Sequence, residues 1–261
     1  MSLKKTAKKL IAKVVKTKTI EFQGMTITGA FEDYGVLKAI NNNTHEVHFQ
    51  QLFTSSIQAG MTVLDVGAHL GKYSLLAAQK VGDTGKVVSF EPHPRTFSYL
   101  KTNIADNKVD KVTSIHNAAI SDVDGTGELN ADLVQSDFTS MAAVRHGDEV
   151  ETIQIKTTTI SAVDSQLSPD VCKVDVEGAE LLVLKGIQTS LDQARAQGKK
   201  PKLFIEANRQ ALSAFNESPT SLYQAITECG FSVIKKIDEN NLSLTQVNLE
   251  DVGEAENWLC T

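Results

Sequence analysis

Cysteine is scarce in this chain: three residues among 261, Cys172, Cys229 and Cys260, widely spaced and without a CxxC pair. That arrangement offers neither a zinc motif nor a redox motif, and the three read as reduced thiols. No run approaches the roughly 18 uninterrupted apolar residues of a membrane span. The first residues also lack the apolar block and small-residue cleavage site of a secretory signal, so a cytoplasmic protein is expected. Acidic residues are absent from positions 1–18, which hold seven lysines: Lys4, Lys5, Lys8, Lys9, Lys13, Lys16 and Lys18. With those set aside, the formal charge of -6 becomes -13 for the remainder. So acidic a body argues against a nucleic-acid groove, which needs clustered positive charge.

What is present is a chain with 41% hydrophobic residues, enough to bury a sizeable core as one domain with small appendages. In the basic leader, Leu3, Ala7, Leu10, Ile11, Val14 and Val15 recur at helical spacing. An amphipathic helix over 1–19 follows, suited to an anionic membrane surface or to an ordinary solvated or docked terminal position. Residues 20–60 read as a strand or hairpin over 20–30 and a helix over 46–57, packing on the core. From 61 to 261 the rhythm becomes regular. Apolar segments suited to buried parallel strands occupy 61–66, 86–90, 112–116, 171–176 and 202–207. Helical patterns separate the early ones, with Tyr73, Leu76, Ala77 and Val81 on one face of the first and Phe97, Leu100 and Ile104 on one face of the second. Such alternation predicts an α/β fold with a parallel sheet covered on both faces.

Near the end, Ser218 and Pro219 start a helix that Gly230 stops, a strand is expected over 231–237, 240–256 is polar and turn-rich, and 257–260 reads as a closing strand. The segment 122–160 interrupts the rhythm. Its parts 125–131 and 151–157 alternate as a β-hairpin would, joined by a polar loop holding Ser136, Asp137, Ser140, Arg145 and His146. A loop this long is either a substrate lid or a mobile decoration.

Three motifs carry chemistry. The first, Asp65-Val66-Gly67-Ala68-His69-Leu70-Gly71, joins a strand end to a helix start, where glycine lets the backbone approach a ligand and the helix supplies unpaired N–H groups. The dinucleotide pattern GxGxxG from Gly67 would need glycines at His69 and Lys72, and both are missing. Asp65 suits instead a cationic ligand such as the amino group of a methionine moiety. The second motif, Glu91-Pro92, follows a strand 20 residues beyond Gly71, where an acid can accept both hydrogen bonds of a ribose diol. After the third strand, His116-Asn117-Ala118-Ala119 offers small residues to border an adenine ring.

The third motif runs from Lys173 to Glu180 through Asp175, Glu177 and Gly178. Alternation puts Lys173 and Asp175 on one face of a buried strand, either as a structural ion pair or as functional groups. Glu177 and Glu180 fall in the first turn of the next helix, where acids meet the positive end of its dipole. For Glu180 that electrostatic role suffices.

Taken together, DVGAHLG, the EP pair, the KVDVEGAE block and the strand Leu203-Phe204-Ile205-Glu206 resemble the FkbM family of S-adenosylmethionine-dependent methyltransferases, over roughly residues 45–260. The resemblance implies a class I, Rossmann-like fold: a seven-stranded, mostly parallel sheet with an antiparallel last strand, plus the inserted β-hairpin. It also implies methylation of hydroxyls on sugars, glycans or natural products. By the same resemblance Asp65, Gly67, Gly71 and Glu91 would contact the cofactor; His69, Tyr73, Pro92, Ala119 and Asp175 are further candidates to bind it. Asp175 and Glu177 would sit beside the transferred methyl, and Ser140 matches a serine of the family's hairpin. Two positions depart from the family, His69 where Asn is usual and Ser161 where Asp is usual.

A sulfonium is an activated donor, so the protein must place a nucleophile in line with the methyl and accept one proton. Asp175 is the first candidate for that base, with Glu206 and His146 behind it and Lys173 paired to Asp175; His146 and Ser140 would face the acceptor. A divalent metal held by Asp175 with Glu206 or Asn208 is a variant. Rival readings are a non-catalytic S-adenosylmethionine-binding module and a nicotinamide-dependent oxidoreductase, the latter disfavoured by the missing glycines.

Overall fold

The computed structural model describes residues 17–132, 139–140 and 150–261. The leader expected to be helical lies outside these residues up to position 16. Thr17 and Lys18 already belong to a strand, β1 (Thr17–Phe22), which pairs antiparallel with β2 (Met25–Ala30), so the expected hairpin begins earlier than residue 20.

The core is a doubly covered α/β sheet. Its first three strands, β3 (Thr62–Val66), β4 (Lys86–Phe90) and β5 (Thr113–His116), are parallel, as are β10 (Val171–Val174) and β11 (Lys202–Asn208) on the other side of β3. Beyond them come β14 (Ala255–Cys260), antiparallel to both neighbours, then β12 (Ile234–Asp238) and β13 (Ser243–Gln246). The order β13-β12-β14-β11-β10-β3-β4-β5 gives the expected α/β sheet with its last strand antiparallel, and adds an eighth strand at the edge. The sequence hid β13 inside a polar stretch because three of its four side chains are exposed and only backbone pairing to β12 defines it.

Val63, Leu64, Val66, Val87 and Val88 are all buried, because helices cover the sheet on both faces. Helices α3 (Lys72–Val81) and α4 (Pro94–Asp106) lie on one side, with Leu75, Leu76 and Leu100 in its core, and α6 (Glu180–Ala196) on the other, with Val183 and Ile187 buried. The N-terminal segment contributes α1 (Tyr34–Asn41), which the sequence reading did not separate, and α2 (Val47–Ser55). Phe49 and Phe53 of α2 meet Tyr73 and Phe204 edge-on, with ring centroids 5.0–5.5 Å apart. The Glu239 carboxylate, after β12, accepts from the backbone N–H groups of His48 and Phe49 and so caps α2. Asn103, fully buried in α4, accepts from Thr28 N–H and donates to the carbonyls of Thr28 and Leu70, tying the β1–β2 hairpin to the loop after β3.

The inserted segment forms a second sheet. Strands β7 (Gly125–Asp132) and β9 (Val150–Thr158) pair antiparallel as expected, and the edges are extended by β6 (Ala119–Ile120) and β8 (Thr139–Ser140). After it, Thr159 caps the short helix α5 (Ile160–Val163), and Asp124 accepts from the Thr159 N–H and the Thr158 hydroxyl. That turn is therefore held without an acid at Ser161. Helices α7 (Arg209–Ala214) and α8 (Pro219–Glu228) complete the chain, α8 capped by Ser218 as its sequence predicts. Among the described residues no helix is long and apolar enough to cross a membrane.

Candidate active site

A cavity of about 250 Å³ lies at the carboxyl ends of β3, β4, β10 and β11, where the strand order reverses on either side of β3. The turn after β3 forms its floor. Gly67 has φ +77°, and a Cβ there would stand 1.8 Å from the Asp175 carbonyl oxygen, so only glycine fits. His69 is also left-handed (φ 51°). Asn and His are among the side chains that tolerate this conformation best, which reconciles His69 with the family's usual Asn. Gly71, at φ +89°, ends the turn just before α3.

Glu91 is buried on the cavity wall, where it accepts from the backbone N–H groups of His69 and His93 at 3.0 and 2.9 Å. Burial raises its pKa against those two hydrogen bonds and the nearby His69. Each oxygen keeps a further lone pair for a ribose hydroxyl. Pro92, Phe90, Ala118, Ala119 and Leu129 extend this wall, so the inserted sheet helps to enclose the side where an adenine ring was expected.

Asp65 departs from its expected place. It is fully buried, is not among the cavity-lining residues, and accepts the Ser74 hydroxyl at 2.6 Å. Its other oxygen lies 4.0 Å from Lys173 Nζ. The strand's alternation puts Asp65 on the face covered by α3, against Ser74 and beside Lys173. That lysine donates to Asp175 and to the Gly67 carbonyl, each at 3.0 Å. Burial works against its charge, but Asp175 and Asp65 outweigh burial and raise its pKa.

Beyond β10 the carboxylates of Asp175, Glu177 and Glu206 converge, with one oxygen from each lying within 4.8 Å of the others. Glu177 is left-handed (φ 54°) and Gly178 has φ +108°, with the Ala211 carbonyl 2.4 Å from any Cβ there. That turn aims Glu177 beside Asp175, whereas Asn208 is spent capping α7. Glu206 is pushed up to about 10 by burial and by the charges of Asp175, Glu177, Glu180 and Glu46. Glu180 is fully buried and accepts from the N–H groups of Val176 and Gly178. It braces the turn as well as meeting the helix dipole.

Three titratable lining residues were not singled out by the sequence: His45, Glu46 and Lys72. Tyr73, expected to bind cofactor, lies beneath them, its hydroxyl donating to Glu46 at 2.7 Å. Burial opposes charge on Glu46, yet His45, Lys72 and Tyr73 overcome it and lower the carboxyl to about 2. A signal existed for Lys72, since a cation in the first turn of a helix is electrostatically misplaced. Ser140 falls in β8, and His146 lies outside the described residues.

A family model described as the methyltransferase FkbM domain matches residues 65–233, about two thirds of the chain and all three motifs. The chain belongs to the FkbM methyltransferase family. Its cofactor is S-adenosylmethionine. The chain is also similar to methyltransferase sdnD of Sordaria araneosa, at 26% identity over 57% of this chain and 71% of that protein. A shorter match, 47% identical over 53 residues, is to the ribosomal RNA large subunit methyltransferase E of Lawsonia intracellularis; it covers 18% of this chain and 26% of that protein. Among solved structures, an S-adenosylmethionine-dependent O-methyltransferase of Thermotoga maritima aligns with a TM-score of 0.49 and 11% identity, over 93% of this chain and 76% of that one. In this FkbM methyltransferase, Gly67, Glu91 and Ala119 line the cavity together with the three carboxylates.

Proposed function

We propose that this FkbM methyltransferase transfers the methyl group of S-adenosylmethionine to a hydroxyl of a sugar, glycan or natural product, with a carboxylate of the Asp175, Glu177 and Glu206 cluster accepting the proton. The convergence of those carboxylates beside the cavity carries the reading. Groups this close do not all ionise, and burial together with the neighbouring carboxylates leaves the proton on Glu206. When bound, S-adenosylmethionine would supply the activated methyl, and Glu206, its own proton released to solvent, would accept the hydroxyl proton. Lys173 acts as a positioning residue, holding Asp175 from below. The β7–β9 sheet, with Ser140 at its edge, would face the acceptor.

Tritiated methyl transfer to hydroxylated acceptors from cell extract tests this. Glu206→Gln is expected to keep donor affinity within a few-fold and lose about 10²–10⁴-fold in turnover, the usual worth of a general base. Full turnover in both Glu206→Gln and Asp175→Asn would overturn the base assignment, and label found on amines would overturn the hydroxyl acceptor. The same convergence favours a second reading, metal-assisted transfer. Activity unchanged by exhaustive chelation excludes that version and leaves the base intact.

A further inference from the structure

Lys72 is 6% exposed, lines the cavity and yet meets no carboxylate within ion-pair distance among the described residues. Its ammonium donates to the His45 carbonyl at 2.9 Å and to the Tyr73 hydroxyl at 3.3 Å, both neutral oxygens. A third neighbour, His45 Nδ1 at 3.3 Å, also stands 3.0 Å from Glu46 Oε2. That nitrogen cannot both carry a proton to Glu46 and accept one from Lys72. With Glu46 strongly anionic the proton belongs on Nδ1, which leaves one Lys72 donor unspent. Burial accordingly pulls Lys72 down to about 8, against the more distant Glu46 and Glu239.

A buried ammonium with a spare donor on a cavity wall is matched by a ligand anion. Lys72 opens the helix that follows the Gly67–Gly71 turn, whereas the exposed part of Asp175 offers the opposite charge across that turn. The methyl donor's amino-acid tail carries one ammonium and one carboxylate a single carbon apart. We infer that Lys72 receives the carboxylate of the donor's methionine moiety while Asp175 receives its ammonium, so that the two side chains read the tail as a zwitterion. This assignment needs only the cofactor and holds whatever the acceptor is.

Decarboxylated S-adenosylmethionine keeps the sulfonium, the ribose and the amine and lacks only the carboxylate. In calorimetric titrations the native chain should bind S-adenosylmethionine roughly 10- to 100-fold more tightly than this analogue, the range one charge-assisted hydrogen bond supplies. Lys72→Met should reduce affinity for S-adenosylmethionine to about that of the analogue and leave analogue binding unchanged, which also shows that the variant is folded. Equal affinity of the native chain for both ligands overturns the assignment. So does discrimination that survives in Lys72→Met. Loss of acceptor turnover in the variant with donor discrimination intact overturns it too, and moves Lys72 to an anion on the acceptor.

Discussion

At the scale of single residues, Gly67 is the position with least freedom. Alanine there would bring a Cβ within 1.8 Å of the Asp175 backbone oxygen and would also have to hold φ +77°. Gly67→Ala is expected to cost at least about 3 kcal/mol and to abolish measurable donor binding, checked by urea denaturation and calorimetry. Sequence spacing alone identified this glycine. The same spacing misplaced Asp65, because the side of the strand on which its carboxylate would meet Ser74 and Lys173 is a matter of packing. Glu91 was legible for the opposite reason: it directly follows the last residue of its strand, where the chain leaves the carboxyl end of the sheet.

Among elements, the loop between β3 and α3 depends on its supports. Asn103 in α4 makes three hydrogen bonds, one to the Leu70 carbonyl inside that loop. Asn103→Ala leaves three backbone groups of Thr28 and Leu70 unpaired, and is expected to cost at least about 3 kcal/mol, the lower end of about 1–3 kcal/mol per orphaned group. Weaker donor binding should accompany the lower melting temperature. The turn after β10 leans on Glu180, whose buried carboxyl is pushed up to about 7. A carboxyl raised in the folded state contributes stability fully present below its ordinary value of 4.5 and lost as pH rises through 7. Replacing it by the neutral Glu180→Gln removes that loss. Between pH 5.5 and 8.5 the variant should gain on the order of 2 kcal/mol relative to the native chain, read from paired urea titrations.

For the molecule as a whole, the cavity is bounded by parts far apart in sequence: His45 and Glu46, the turn at 67–71, the inserted sheet and the ends of β10 and β11. A ligand that bridges them should stabilise the entire fold. At a hundred times its dissociation constant, S-adenosylmethionine is expected to add about 2.7 kcal/mol, seen as a rise in melting temperature, whereas a nicotinamide dinucleotide should add nothing. Legible in the chain before folding were the alternating α/β order, the inserted hairpin, the glycine turn and the Glu91 and Lys173–Glu180 motifs. Each of these is written in local periodicity or in a backbone requirement that one residue type satisfies. Packing settled that β13 joins the sheet, that Asp65 is missing from the cavity lining, and that Asn208 caps a helix instead of joining Asp175 and Glu206. It also brought Lys72 against His45 across 27 residues of chain. Which groups meet inside a cavity depends on how separate segments pack, and local patterning carries no record of that contact.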